Sequence, residues 1–414
     1  LNGCRALALR RYRYADASCI ARRITAQYVA MKDLSDAKAG TTPAEPARMR
    51  YIDTLRGVAA LLVVWLHAAS IFGRTSATTE QSGGWLYSTI AYIDVGHIGV
   101  VVFFLISGFV IPFSISADRP GAVGSFAIRR FFRIYPAYWL SVPLAALAIF
   151  WIWGSPFSVR EILVNLTLLQ DLFGVRSAEG VYWTLPVELT FYALCIVLLK
   201  TNSLFDMRRI ALLAAALGFS FAVIMATYWL RKKTVTTVAP YWLLNLSVML
   251  CGALFRNRWH SDSRVRDSVV DVLFWAMLAC YIVVLPVCAV IATGVSQNVP
   301  LTYAAGFLIF IVGTRWLRIE TRVTDWLGTT SYSIYLFHSI VFLAMDWWLL
   351  RHAADSWWRT RHLAVYMAAG LAAVLIVASL VYWFVEKPGI AMGHRLATSW
   401  RNRAARGRAI AVDA

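Results

Sequence analysis

This sequence predicts an all-helical, polytopic membrane protein of about ten transmembrane helices, and three observations carry that expectation. Of 414 residues, 59% are hydrophobic and only 15% charged, where soluble chains run near half and a quarter. The apolar residues fall in long blocks, not in amphipathic stripes. Lys and Arg gather in alternate connecting segments, as topology requires.

A span needs about 20 apolar residues to cross about 30 Å of hydrocarbon. Ten stretches qualify, at roughly 57–73, 93–116, 136–153, 183–199, 210–230, 240–255, 269–291, 300–317, 330–350 and 363–385. The segment Val159–Leu172 is amphipathic and too short to cross, so an interfacial or re-entrant helix is expected there. With the N-terminus placed inside, 31 of the 40 Lys and Arg lie on inside segments and 9 outside. Leaving out residues 1–48 still gives 22 against 9. Both termini are therefore expected in the cytoplasm. The run Arg231–Lys233 is the exception to this pattern.

Three regions follow: a basic cytoplasmic tail at 1–48, a transmembrane domain at 49–390, and a second basic tail at 391–414. The opening residue is Leu1 and residues 1–30 hold no apolar leader, so a secretory signal is not expected and Met31 or Met49 reads as the start. The net charge of +18 is read as topology and contact with anionic lipid, not as nucleic-acid binding. Six cysteines form no CxxC pair, and neither a disulfide framework nor a metal site is expected. No internal repeat is evident, although inverted repeats are common in transporters.

Ionisable groups inside spans are costly unless they face a cavity or a partner, so they mark candidate chemistry. Arg56 and His67 stand eleven residues apart, almost three turns, and project from one face of the first span. His67 lies about 16 Å above Arg56, near the bilayer midplane, where a neutral imidazole suits a base; packing between helices is the plainer use. After the second span, Arg129, Arg130 and Arg133 cluster on a helical face. They read either as a topology anchor or as a phosphate site, since guanidinium forks bind phosphate bidentately. Glu188 is the one acid of the fourth span, expected about one turn inside its outer boundary. It can pair with an arginine, bind acceptor hydroxyls or assist proton transfer. In the ninth span Tyr335 and His338 share a face, with His338 at nearly the depth of His67. Span order does not say whether the two histidines meet, and His338 reads as structural or as support for His67. Ser107 and Gly108 in the second span read as a close-packing pair.

In chain order these segments resemble the acyltransferase family 3 membrane proteins, bacterial O-acyltransferases. Asp53, Arg56, Gly57 and His67 match that family's opening pattern, and Phe104 to Phe109 its Phe-x-x-Ser-Gly-Phe element. Arg130 and Arg133 before Tyr135 and Pro136 match its paired arginines. Trp183, Leu185, Glu188, Phe191 and Tyr192 match a fourth element, and Ser331, Tyr332, Tyr335 and His338 a fifth. Glu386-Lys387-Pro388 is similar to the family's ending. The resemblance covers roughly 49–390; Pro186 stands where a small or apolar residue is usual.

The resemblance implies transfer of an acyl group, commonly acetyl, from cytoplasmic acyl-CoA to a carbohydrate or glycolipid acceptor outside the bacterial inner membrane. His67, Arg56 and Glu188 would do the chemistry, and Arg129, Arg130 and Arg133 would hold the donor phosphates. Asp53, Tyr335 and His338 would support them. His67 serves either as base or as acyl carrier on this reading. The rival reading is a transporter or flippase for a glycolipid or polysaccharide precursor, its polar midplane residues lining a pathway.

Overall fold

In a computed structural model the described residues are 49–75, 84–115, 119–231, 239–260, 267–285 and 298–413. The chain divides into the units Leu1–Met49 and Arg50–Ala414, and every helix below belongs to the second. The expected tail at 1–48 lies outside the described residues, as do Lys232 and Lys233.

Thirteen helices are described: α1 Arg50–Thr75, α2 Gly84–Tyr92, α3 Val95–Val110, α4 Ala122–Trp153, α5 Val159–Asn165, α6 Thr184–Lys200, α7 Met207–Leu230, α8 Ala239–His260, α9 Ser268–Ala279, α10 Asn298–Arg315, α11 Arg322–Leu349, α12 Leu363–Val381 and α13 Lys387–Asp413. Each of the ten expected spans falls on one of them. Seven, namely α1, α3, α4, α6, α7, α11 and α12, are long and apolar enough to cross a membrane by length and composition. The other three expected spans fall on α8 (22 residues) and on the shorter apolar helices α9 and α10, with 286–291 of the expected span 269–291 outside the described residues. The protein is a multi-pass membrane protein, and helices let its backbone satisfy itself where no water is present.

Lipid tails are as apolar as leucine, so membrane helices associate by close approach and not by hydrophobic drive. Small residues permit that approach here. Gly328 of α11 lies on the backbone of Asp53 in α1, and Gly99 of α3 lies on the carbonyl of Ala59. Gly108 of α3 meets the backbone of Met249 while Gly252 of α8 meets the carbonyl of Leu105, a reciprocal contact. A Cβ at any of these four would collide with backbone. Gly108 of the Ser107-Gly108 pair is thus a packing residue, as its sequence suggested, whereas Ser107 lines a cavity between the helices.

α4 starts earlier than the apolar stretch does, so Arg129, Arg130 and Arg133 sit within a helix of 32 residues. It ends at Gly154, whose φ of 61 reverses the chain. α5 opens on a capping box between Ser158 and Glu161 and then runs back beside α4. Tyr138 donates its hydroxyl to Asn165 O at 2.6 Å, and Trp139 donates Nε1–H to Leu166 O at 3.1 Å. Tyr138 is fifteen residues short of Trp153, about 22 Å along the helix, so the segment is re-entrant. Asn165 ties off the loop: Nδ2 donates to Glu161 O and Arg176 O, and Oδ1 accepts from the Ala178 N–H.

The re-entrant path decides where α6 begins. Just before it, the buried Tyr182 hydroxyl meets Ser141 Oγ at 2.8 Å, beside the middle of α4. Glu188 is therefore not one turn inside an outer boundary, as the apolar pattern suggested. The fourth span enters the bundle partway down, and Glu188 lies deeper.

The last span also departs from a regular helix. α12 passes through a π-turn at Tyr382–Glu386 and continues as α13 to Asp413. Pro388 has no N–H and its ring would clash with the carbonyl of Phe384, which accounts for the bulge. α13 then packs on the first half of α4: Gly389 approaches Phe132 O and Pro136, and Gly393 approaches Phe132. Residues 391–413, expected as a tail, are helical and docked over their first part.

Candidate active site

Between α1, α3, α4, α6 and α11 lies a cavity of about 110 Å³. Arg56, Arg130, Arg133, Glu188 and Tyr335 all line it, five of the residues singled out from sequence, drawn from four helices.

The three arginines differ in how their charge is met. Arg133 forms an ion pair with Glu386, whose side chain is fully buried, and Glu386 also accepts from Ser333 Oγ at 2.6 Å. Its guanidinium packs on the Tyr332 ring at 5.6 Å. Arg130 has no carboxylate partner among the described residues; it donates to Ser114 Oγ at 2.9 Å and lies over the rings of Phe126 and Tyr192. Arg56 has no acid partner among the described residues and faces the positive charge of Arg133. With Arg133 paired to Glu386, Arg56 and Arg130 outnumber Glu188, the one carboxylate of the wall, and leave the cavity a net positive charge, which suits an anion site. Arg129 is turned away. It donates to Ser125 Oγ and toward Ser114 O and is not part of the cavity wall.

Glu188 stands opposite these cations and accepts from the Tyr192 hydroxyl at 2.5 Å. The Tyr335 hydroxyl is held by Val181 O at 2.7 Å and Thr184 Oγ1 at 2.8 Å. Its ring meets Phe103 edge to face at 5.9 Å. Both rings line the cavity, and that of Tyr335 lies 6.1 Å from the His338 ring.

One turn further along α11, His338 lies with its ring centroid 5.0 Å from that of His67. The histidines do meet, which span order did not say. His338 is fully buried, and its Nδ1 is 2.7 Å from Tyr335 O. A carbonyl only accepts, so Nδ1 carries the proton and Nε2 is left as an acceptor. Nε2 has no partner in the structure. His67 is thus its polar neighbour across the helix pair. Asp53 sits outside the cavity wall, at the close contact of α1 with α11.

Two carboxylates escaped the sequence reading as site residues. Glu386 was noted only as part of a terminal motif, although it is the first acid after a long apolar span. Glu179 is 7% exposed, takes hydrogen bonds from the Gly180 N–H and Ser339, and is pushed up to about 7 by burial. Nothing in its loop sequence signals burial, because the re-entrant fold creates it. Among the described residues no group of three or more His, Cys, Asp or Glu could hold a metal ion.

Fold and cavity define a class: a multi-pass helical membrane protein with an arginine-rich cavity whose wall residue Tyr335 also neighbours a close pair of histidines. Residues 49–383 match the family 3 acyltransferase domain, and the chain belongs to that family. It is an acyl-transferring membrane enzyme. It is 26% identical over 400 residues to the inferred membrane-bound transacylase BcsY of Komagataeibacter xylinus, covering 86% of this chain and 87% of that one. Nodulation protein 10 of Rhizobium leguminosarum bv. viciae is 24% identical over 369 residues, 82% of this chain and 92% of its own. The peptidoglycan O-acetyltransferase OatA of Listeria monocytogenes is 23% identical over 341 residues, 71% of this chain and 51% of its own. No solved structure gives a significant match.

Proposed function

We propose that this enzyme moves an acyl group, acetyl in the first instance, from cytoplasmic acyl-CoA to a hydroxyl of an extracytoplasmic sugar or glycoconjugate at the bacterial inner membrane. The observation that carries the reading is the cavity with its net positive charge from Arg56 and Arg130, lined also by Tyr335, one turn along α11 from His338, whose ring meets that of His67. Acyl-CoA is a large phosphorylated anion that cannot cross lipid, and both arginines lie toward the end of the bundle that charge asymmetry assigns to the cytoplasm. The excess charge holds its phosphates or pyrophosphate, and the thioester end reaches toward Tyr335.

His67 acts as the base. It takes the proton of the acceptor hydroxyl as that oxygen attacks the thioester carbonyl, and the resulting imidazolium returns the proton to the departing CoA thiolate. Atoms and charge balance with no further reactant. His338 Nε2, unpartnered in the structure, would accept from the proton-bearing nitrogen of His67 once that ring turns toward it, leaving the other nitrogen's lone pair for the hydroxyl. Glu188 stays near the cations of the cavity and steadies the donor end. Relatives named as a transacylase and an O-acetyltransferase support an acyl donor, and the carbohydrate acceptor follows the name of the peptidoglycan enzyme.

The test uses membranes holding wild type or His67→Ala, given labelled acetyl-CoA, with label followed into glycan and lipid fractions. Label is expected in the acceptor with wild type alone, and no labelled protein intermediate. Full transfer by a correctly inserted His67→Ala protein would overturn the role of His67. A stable acyl-protein adduct would replace the base by an acyl carrier. No transfer by wild type from several acyl-CoA donors would favour transport of a glycolipid instead.

A further inference from the structure

We propose that Asp94, His97, Trp183, Asn245 and Tyr303 form the acceptor subsite, built for a ring that carries several hydroxyl groups. The proposal rests on the transfer reading above and adds where the acceptor binds. His97 stands in the first turn of α3, one turn from Val100 of the cavity wall and about 15 Å from Ser107. Asp94 caps that helix through the His97 N–H at 2.8 Å, and its other oxygen is 3.8 Å from His97 Nδ1. The His97 ring stacks on Trp183 at 5.7 Å and lies 5.9 Å from Tyr303. The Tyr303 hydroxyl donates to Asn245 Oδ1 at 2.7 Å.

Two polar atoms of this chain of contacts are buried with no partner: His97 Nε2 and Asn245 Nδ2. Asn245 is 1% exposed and Tyr303 fully buried. Buried polar atoms in folded proteins are nearly always satisfied, so two orphans in one cluster call for a ligand. Their chemistry says which kind. The Asn245 amide donates. With Nδ1 beside the Asp94 carboxylate, His97 keeps its proton there and offers Nε2 as an acceptor. A hydroxyl both donates and accepts, so it suits a donor and an acceptor held in one place. The indole of Trp183 adds an apolar surface for ring C–H groups, and Asp94 a further acceptor.

Position agrees with chemistry. The charge of Asp94 acts on His67 as well as on His97, so the cluster lies within electrostatic reach of the base. Asp94, His97, Asn245 and Tyr303 all sit within about two turns of the ends of α3, α8 and α10 that lie away from the basic cavity. An acceptor held there meets the thioester across His67.

The experiment measures transfer from labelled acetyl-CoA to extracted surface glycan, titrated in hexose equivalents, by the full-length protein in membranes. His97→Phe keeps the ring on Trp183 and removes the nitrogens; Asn245→Leu keeps the volume and removes the amide. Each is expected to raise the KM for glycan at least tenfold, with kcat and the KM for acetyl-CoA within twofold of wild type. Where Asn245→Leu does not accumulate, Tyr303→Phe releases the Asn245 amide and is held to the same expectation. An unchanged KM for glycan would overturn the subsite and leave a packing cluster filled by water. A fall in kcat alone would overturn it too, since the cluster would then act only through His67. Absence of transfer by wild type from any acyl-CoA would instead refute the donor reading.

Discussion

Removing the Glu386 charge should shorten the life of the folded protein more than any conservative change in the cavity wall. The side chain of Glu386 is fully buried, whereas that of Arg133 is 19% exposed. Breaking one partner of a buried pair costs about 3–5 kcal/mol, because the other charge stays behind without compensation. The partial exposure of Arg133 toward the cavity favours the low end, about 3 kcal/mol. Glu386→Gln keeps the volume and a partner for Ser333, so the loss isolates charge. Unfolding of such proteins is commonly irreversible, and half-life in detergent at a fixed elevated temperature is the measurable quantity. A loss of about 3 kcal/mol that falls wholly on the unfolding barrier shortens it roughly a hundredfold. Arg133→Met should cost a similar amount, by stranding the buried carboxyl. The double variant carries neither charge and should outlive both singles. Losses that simply add in the double variant, or a Glu386→Gln protein as durable as wild type, would refute the pairing argument.

Three further outcomes are expected. Arg56→Ala and Arg130→Ala should each raise the KM for acetyl-CoA about tenfold or more by removing a charge-assisted contact of about 1.5–3 kcal/mol, while Arg129→Ala leaves it near wild type; steady-state kinetics would decide, and equal effects from all three would reduce the cluster to a topology anchor. Burial holds the Glu179 carboxyl protonated up to about 7. Its folded-state pKa is raised, so its contribution to stability is full below the ordinary carboxylate range and is lost as pH rises through about 7. Thermal midpoints between pH 5.5 and 8.5 should fall with pH in wild type and fall less in Glu179→Gln; parallel curves would exclude Glu179 as the cause. Gly108→Val places a side chain against the Met249 backbone and should abolish accumulation of folded protein, whereas Gly407→Ala, with open space around it, should not; comparable yields, read by size-exclusion chromatography, would contradict the close α3–α8 contact.

Much of the fold was legible because hydrophobicity in lipid is a one-dimensional property. An apolar block announces its own helix, and each of the ten expected spans falls on one. The amphipathic stretch after α4 announced an interfacial or re-entrant segment by being too short to cross, without saying which. Boundaries read less well. Arg129 to Arg133 lie within α4 because a helix continues past the membrane wherever its backbone can still bond itself, whatever its hydropathy. Depth read worst at Glu188, since counting residues from a span's edge assumes that the span begins at the membrane surface.

The site divides along the same line. Residue type and spacing on one helix placed Arg56 below His67 and put Tyr335 on the face of His338. Whether a group on one helix meets a group on another depends on side-chain orientation between elements far apart in sequence, and no local pattern encodes it. The meeting of His67 with His338, the capture of Arg133 by Glu386 at a π-turn, and the turning away of Arg129 were all of this kind. Sequence alone determined a helical membrane protein with the motifs of an acyltransferase family, because burial in lipid and helical period act residue by residue. The tertiary structure alone decided which charges face the cavity and which are spent on one another, because pairing is a property of space and not of chain order.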